Sequence, residues 1–322
     1  MDPEQALAGQ PLGENLMKMH RAIRPLSILI LLLAWAFLFA ACALPQADLP
    51  PQDLPETVDP GAGEDSPAEP PAPAPPEAEP PILRPGYEEI LAAVAGLSTE
   101  PSGFGPGNAT DENNRPLSAL SYETKYGQYG LTALTDDEGV VYLTFDQGYE
   151  NGYTTPILDI LKEKNVTATF FVTMSYAEKN PELVARMLEE GHVIGNHSNT
   201  HPSMPKLSVQ DSIDEILSLH DYILDTYGYE MRLFRPPMGE FSVTSLEIAR
   251  LLGYQSIFWS FAYVDWETDN QPDPAAAYER ITSRTHEGAI YLLHSVSATN
   301  AAILGEVIDF WHSNGYEVKA CQ

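Results

Sequence analysis

From residue 140 onward the chain alternates between two kinds of apolar spacing. Short runs of β-branched, aromatic and aliphatic residues read as strands covered on both faces. They fall at 140–145, 168–173, 192–195, 233–234, 255–260, 289–293 and 316–319. Between them lie stretches with apolar residues at helical spacing, at 156–164, 181–190, 208–227, 244–252, 274–286 and 300–314. Asn180-Pro181 and the Ser208/Asp211 pair mark helix starts, and Gly191 and Gly253 mark helix stops. Strict alternation predicts an α/β fold of about seven parallel strands with right-handed crossovers.

The sequence before residue 140 reads differently. Residues 87–97 are helical by pattern, whereas 103–134 are rich in Gly, Asn and Tyr and give no regular period. Further back, Lys18, His20, Arg21 and Arg24 precede an uncharged apolar run at 26–41, and Ala40-Ala41-Cys42 follows. Basic region, apolar core and small residues are the parts of a secretory signal. A cysteine directly after them resembles a bacterial lipoprotein signal, with Cys42 lipidated, although Phe39 stands where leucine is usual. An uncleaved membrane anchor and ordinary signal cleavage are the other readings, and translation starting at Met17 or Met19 fits the pattern better than Met1. Residues 44–85 hold half of the chain's 28 prolines, interleaved with Ala, Asp and Glu. That composition cannot build a core and predicts an extended, disordered spacer. The expected organisation is therefore 1–43 signal or anchor, 44–85 linker, 86–139 lead-in and 140–322 main domain.

Charge narrows the partners. A formal net charge of -29 argues against nucleic acid as a partner. The two cysteines, Cys42 and Cys321, are too few and too far apart for a disulfide framework. A monomer is expected, outside the cytoplasmic membrane and tethered to its outer face, or else secreted.

Candidate chemistry sits just after the predicted strands: Asp146, His197 and His201, Arg235, Asp265 and His294. In a barrel these ends share one face. His197 and His201 are four apart, so on a helical turn their imidazoles would point the same way and could hold one divalent metal. Such a metal acidifies water and polarises a carbonyl. Asp146 could then take a proton, with Arg235 orienting its carboxylate. Pro236-Pro237 fix a turn that could aim the Met238 N–H at an oxyanion. His294 could protonate a leaving amine, with Asp265 raising its basicity. Each residue also has a plainer reading: Asp146 a turn cap, Arg235 and Asp265 a structural ion pair, His294 the polar end of a strand.

The order of motifs resembles a known family. Thr144-Phe145-Asp146-Gln147-Gly148, His197-Ser198-Asn199-Thr200-His201, Arg235-Pro236-Pro237-Met238-Gly239, Val264-Asp265-Trp266 and Leu293-His294-Ser295 resemble the five motifs of the polysaccharide deacetylases. These are carbohydrate esterase family 4, the NodB-homology domain. The wording around Phe145–Tyr153, Phe258–Trp266 and Tyr291–Ser297 looks like the subgroup that makes muramic-δ-lactam in spore cortex peptidoglycan. The resemblance implies a distorted (β/α) barrel of about seven parallel strands and metal-assisted N-deacetylation of a sugar, most specifically N-acetylmuramic acid, after which the freed amine can close on the lactyl carboxyl group. It implies Asp146 as base, His197 and His201 as metal ligands, Arg235 as partner of Asp146, and Met238 in the oxyanion hole. Asp265 would tune His294 as the acid, and Trp266 and Leu293 would line the acetyl pocket. Zinc is the expected metal, with cobalt or manganese as alternatives.

One position departs from the family. Gln147 stands where most members have a second, metal-ligating aspartate, and the δ-lactam subgroup itself resembles asparagine there. Two imidazoles and an amide carry no negative charge, so a weakly held metal is expected. Two other functions stay open: deacetylation of another N- or O-acetylated glycan, or non-catalytic glycan binding.

Overall fold

The computed structural model describes residues 84–322, all within one compact unit. The leader, Cys42 and most of the proline-rich segment lie outside the described residues. Among the described residues no helix is long and apolar enough to cross a membrane.

The chain begins with α1 (Tyr87–Ala93), β1 (Ser102–Gly103), α2 (Leu117–Tyr126) and β2 (Leu131–Thr132). The alternating part follows as β3 (Val140–Gln147), α3 (Thr154–Glu163), β4 (Thr169–Val172), α4 (Met174–Lys179), α5 (Pro181–Glu189), β5 (Val193–Asn196) and α6 (Val209–Tyr227). It continues through β6 (Leu233–Phe234), β7 (Glu240–Phe241), α7 (Val243–Leu251), β8 (Gln255–Ile257), β9 (Phe261–Ala262), α8 (Pro274–Thr282), β10 (Ala289–His294), α9 (Ala298–Ser313) and β11 (Glu317–Lys319).

The main sheet has nine strands in the order β2-β8-β6-β5-β4-β3-β10-β9, with β11 beside the lower half of β3. Every pairing in it is parallel. The count exceeds the expected seven because the lead-in supplies β2 and because the extended run predicted at 255–260 continues past it into a second strand, β9. Its first part, β8, pairs with β6 and β2, and its continuation, β9, pairs with β10. One extended run therefore crosses the seam of the barrel. Phe258 N donates to Thr132 O at 2.7 Å, and two residues on Ser260 N donates to Ile290 O at 2.9 Å. This distorted closure is the barrel that the family resemblance implies.

Two apolar layers flank the sheet. Leu143, Phe145, Phe170 and Leu293 face helices, meeting Ile157, Val184, Ile216 and Trp311. Phe171, Phe258, Ile290 and Leu292 lie on the opposite face, closed by Phe104, Leu131 and Tyr126 from the lead-in. The lead-in is thus the plug of the barrel. Its helix α2 went unrecognised because its apolar residues keep no clean period, and its Glu123 side chain bonds the Ala133 N–H of the following strand.

Helix starts obey their sequence signals in part. Ser208 Oγ accepts from Asp211 N at 3.1 Å, as the capping pattern requires. Asn180 makes no such bond to α5; its amide donates to Tyr176 O at 2.9 Å and closes α4 instead. Cys321 is buried, and burial pushes its thiol up to about 11, which leaves it unreactive.

Gly195 shows how tightly the sheet is packed beneath the polar groups. A Cβ there would meet the Phe171 ring at 2.3 Å. The same ring stacks under the Arg235 guanidinium at 4.1 Å. Gly195→Ala should therefore destabilise the fold by about 1–3 kcal/mol through overpacking. Urea unfolding measures this, and an unchanged midpoint would show that Phe171 is free to move.

Candidate active site

Five strand ends deliver the polar residues to one place. Asp146 lies near the end of β3, and His294, the last residue of β10, stands directly across the ladder from it. His197 follows β5, Arg235 follows β6, and Asp265 comes three residues after β9.

Arg235 is the most constrained of them. It is fully buried, and its guanidinium donates four times: Nε to Ile257 O at 3.0 Å, Nη2 to Phe258 O at 3.1 Å, and Nη1 to Thr144 Oγ1 at 2.8 Å and Asp146 Oδ1 at 2.7 Å. Burial alone would raise the Asp146 carboxyl. The charge and hydrogen bond of Arg235, with the charge of His294, outweigh it and hold Asp146 below the usual carboxylate range. The carboxylate is thus ionised at neutral pH, fixed through Oδ1, with Oδ2 3.5 Å from His197 Nε2.

His197 Nδ1 lies 2.8 Å from the Arg235 carbonyl, which only accepts. That contact places the ring proton on Nδ1 and leaves Nε2 as a lone pair facing Asp146. Burial pushes His197 down to about 4 and also lowers His201, so both imidazoles are neutral at pH 7. Their ring centroids are 4.8 Å apart. A helical turn is not what brings them together. They sit in a loop where Ser198 (φ 69°) and His201 (φ 60°) both adopt the left-handed conformation, and that double twist folds the second imidazole back on the first.

The second half of the site is a carboxylate–imidazole pair. His294 Nδ1 is 2.7 Å from Asp265 Oδ1, and the His294 backbone N–H donates to Asp265 Oδ2 at 2.8 Å. Asn300 completes the bracket, donating to Asp265 Oδ2 at 2.6 Å and to His294 O at 3.1 Å. Burial lowers the His294 pKa, but the hydrogen bond and charge of Asp265 prevail and leave it raised above its ordinary value. With Nδ1 turned to Asp265, Nε2 is the outward nitrogen.

Gln147 is wholly buried, with Nε2 2.5 Å from Ser295 Oγ and Oε1 without a partner. An unpaired buried acceptor costs roughly 1–3 kcal/mol, so Gln147 carries an unmet demand for a donor or cation. Among the described residues, no three His, Cys, Asp or Glu side chains form a ready metal cage. The two neutral imidazoles, with ring centroids 4.8 Å apart, fit a divalent ion, and the unpaired Gln147 amide oxygen is a further neutral donor at the end of β3, an uncharged set that would bind a metal loosely.

Met238 sits at φ 59° in the short turn Pro237–Gly239, with its side chain exposed. Trp266 is also exposed, its ring 5.3 Å from that of His294. With Tyr149 and Val264 they make four of the eight large apolar side chains exposed among the described residues, all from loops after strand ends. Leu293 is placed elsewhere. Strand alternation turns it from His294 into the helix-side core, where it is 1% exposed. Cys42 lies outside the described residues.

Sequence reasoning missed Thr144, Asn300 and Ser295. Thr144 carried a readable signal, since it lies two residues before Asp146 on the same strand face. Asn300 and Ser295 act through tertiary contacts that leave no mark on local pattern.

The family model for polysaccharide deacetylases matches residues 133–257. The peptidoglycan-N-acetylmuramic acid deacetylase PdaA of Bacillus subtilis is 45% identical over 184 residues, covering 57% of this chain and 70% of that protein. The solved structure of Bacillus subtilis PdaA, a family 4 carbohydrate esterase, superposes with a TM-score of 0.66 at 38% identity, over 70% of this chain and 96% of that one. A family 4 carbohydrate esterase from Bacillus anthracis superposes at 0.58 and 36% identity, with the same coverage. On this similarity, reaching over a barrel whose strand ends carry the matching residues, the chain belongs to the polysaccharide deacetylases.

Proposed function

We propose that the chain hydrolyses the N-acetyl group of N-acetylmuramic acid in peptidoglycan. The observation that carries this reading is the pairing of two preset groups across β3 and β10. Asp146 is an ionised carboxylate fixed by Arg235, and His294 is an imidazole fixed by Asp265, which strengthens its hold on a proton. Amide hydrolysis needs a base for the incoming water and an acid for the departing amine. Asp146 takes a proton from the water as its oxygen bonds to the acetyl carbon. His294 Nε2 gives a proton to the nitrogen as the C–N bond breaks, leaving acetate and a free amine. The left-handed turn at Met238 presents backbone N–H toward the developing oxyanion, and Trp266 covers the acetyl methyl group. Leu293 contributes packing behind His294 rather than a pocket wall.

His197, His201 and Gln147 would hold a divalent metal, zinc before cobalt or manganese. When bound it supplies a Lewis acid that polarises the acetyl carbonyl and acidifies water. Muramic acid, rather than another amino sugar, is supported by the similarity to PdaA, and there the freed amine lies within reach of the lactyl carboxyl group for lactam closure. An enzyme of this substrate works outside the cytoplasmic membrane. Tethering through Cys42 and the proline-rich spacer suits that placement and rests on the sequence.

Asp146→Asn keeps Arg235 bonded to Thr144, Ile257 and Phe258 but removes its charge partner, so the variant should fold with a lower melting temperature while acetate release from the folded protein falls by about 10²–10⁴-fold. Unchanged acetate release would remove Asp146 from the chemistry. The alkaline limb should follow His294: activity persists below its raised pKa and is lost as pH climbs through it. In Asp265→Asn that loss should move to lower pH, toward the ordinary histidine range, and a pH–kcat profile in which the limb stays put would refute the pairing. Chelator dialysis should strip the metal and abolish acetate release, with recovery on adding zinc. Calorimetric titration should find about tenfold or tighter zinc binding in Gln147→Asp, since added ligand charge raises affinity. A stoichiometric ion that survives dialysis of the natural chain would contradict the weak site.

A further inference from the structure

The loop carrying His197 and His201 is strained. Left-handed backbone at a non-glycine residue costs about 1–2 kcal/mol, and this loop has two such residues four positions or fewer apart, Ser198 and His201. Surrounding contacts must hold it. Glu215 on α6 does so from one side, its carboxylate accepting from Thr200 N at 2.7 Å and Thr200 Oγ1 at 2.6 Å, its carbonyl from Asn199 N at 2.9 Å. On the other side Asn196 Oδ1 accepts from Ser198 N at 2.8 Å, and Ser198 Oγ accepts from His201 N at 2.9 Å. The two left-handed residues are therefore pinned to each other and to one carboxamide.

That carboxamide is itself set from outside the site. Asn196 Nδ2 donates to Ile216 O at 2.8 Å and to Tyr254 Oη at 3.3 Å. Tyr254 Oη lies 2.6 Å from His220 Nδ1, and His220 Nε2 lies 2.5 Å from Arg84 Nη2. Arg84 also donates through Nε to Leu252 O at 3.3 Å. The polarity of this chain is fixed by chemistry. A guanidinium only donates, so His220 Nε2 accepts, its proton sits on Nδ1, and Nδ1–H donates to Tyr254. Burial, with the nearby charge of Arg84, pushes His220 down to about 4, so it is neutral at pH 7 as this arrangement requires. Tyr254 Oη then accepts from both His220 and Asn196. The Asn196 amide is thereby held with nitrogen toward Tyr254 and oxygen toward Ser198. Asn196, Tyr254 and His220 are all buried, and none belongs to the reacting set.

We propose that Arg84, His220, Tyr254 and Asn196 form a polar relay of positioning residues. It runs from the end of the proline-rich segment to the loop that presents His197 and His201, and it sets how well those imidazoles are preorganised for a metal. The proposal rests on the reading of the two histidines as metal ligands. It also gives the attachment end of the domain a purchase on the site, because Arg84 is the cation that orders the chain of donors.

Three variants of the full chain test it: Tyr254→Phe, which removes one oxygen and keeps the ring; Arg84→Ala; and Arg84→Lys. Two readouts separate positioning from mere stability. One is zinc affinity by competition with a chromophoric chelator, and the other is hydrogen exchange of the Ser198 and His201 amides without metal. Loss of an outer partner of metal ligands costs about 10–100-fold in affinity. Tyr254→Phe should reach the lower end of that range and speed both amides. Arg84→Ala should do the same more weakly, and Arg84→Lys should recover part of the loss. If melting temperature falls while zinc affinity and both exchange rates hold, the relay is only structural and the proposal fails. If the natural chain binds no zinc, the metal reading fails separately, and amide exchange alone decides: faster exchange in Tyr254→Phe sustains the relay, and unchanged exchange overturns it.

Discussion

Burying a guanidinium without a partner costs several kcal/mol, and so does burying a carboxylate. Arg235 and Asp146 are both buried, and each offsets the cost of the other. Their 2.7 Å contact spans the barrel from the end of β6 to the end of β3. The remaining guanidinium protons close on the carbonyls of Ile257 and Phe258, at the point where the extended run crosses the seam. Barrel closure and the ionised state of the base therefore depend on one cation. Phe171 beneath it and Gly195 beneath Phe171 extend the dependence into the sheet.

The two halves of the site are built on the same rule with opposite signs. On β3 a cation keeps a carboxylate charged at a pH where it must accept a proton. On β10 a carboxylate strengthens an imidazole's hold on the proton it must donate. Both supporting groups are fully buried, while the groups they support face the opening. The ladder between the strands sets the spacing of acid and base, because parallel register places His294 beside Asp146. A neutral imidazole pair and a neutral amide then complete a set whose charge is spent on proton transfer rather than on holding a metal.

Most of this was readable as pattern. Strand and helix positions in 140–319 followed from apolar period and capping residues, and the polar residues after strands marked the site because parallel strands place their carboxyl ends together. What was not readable depends on tertiary geometry. The His197–His201 spacing implied a helix, yet the pair meets through left-handed residues at Ser198 and His201, a conformation sequence does not announce outside glycine and asparagine. The strand at 255–260 read as one element because nothing local marks where its partner changes from β2 to β10. Leu293 was assigned to a pocket through a motif, and alternation from His294 turns it into the core. The lead-in helix α2 kept no amphipathic period because its burial depends on the barrel mouth it plugs.

The central claim is that these preset groups remove an acetyl group from muramic acid. Mass spectrometry of muramidase-digested peptidoglycan after incubation with the enzyme and zinc tests it most directly. The account predicts muropeptides that have lost one acetyl group from muramic acid, some with the further loss of water that marks lactam closure. Digests unchanged with every divalent metal tried, from an enzyme that still folds, would contradict it.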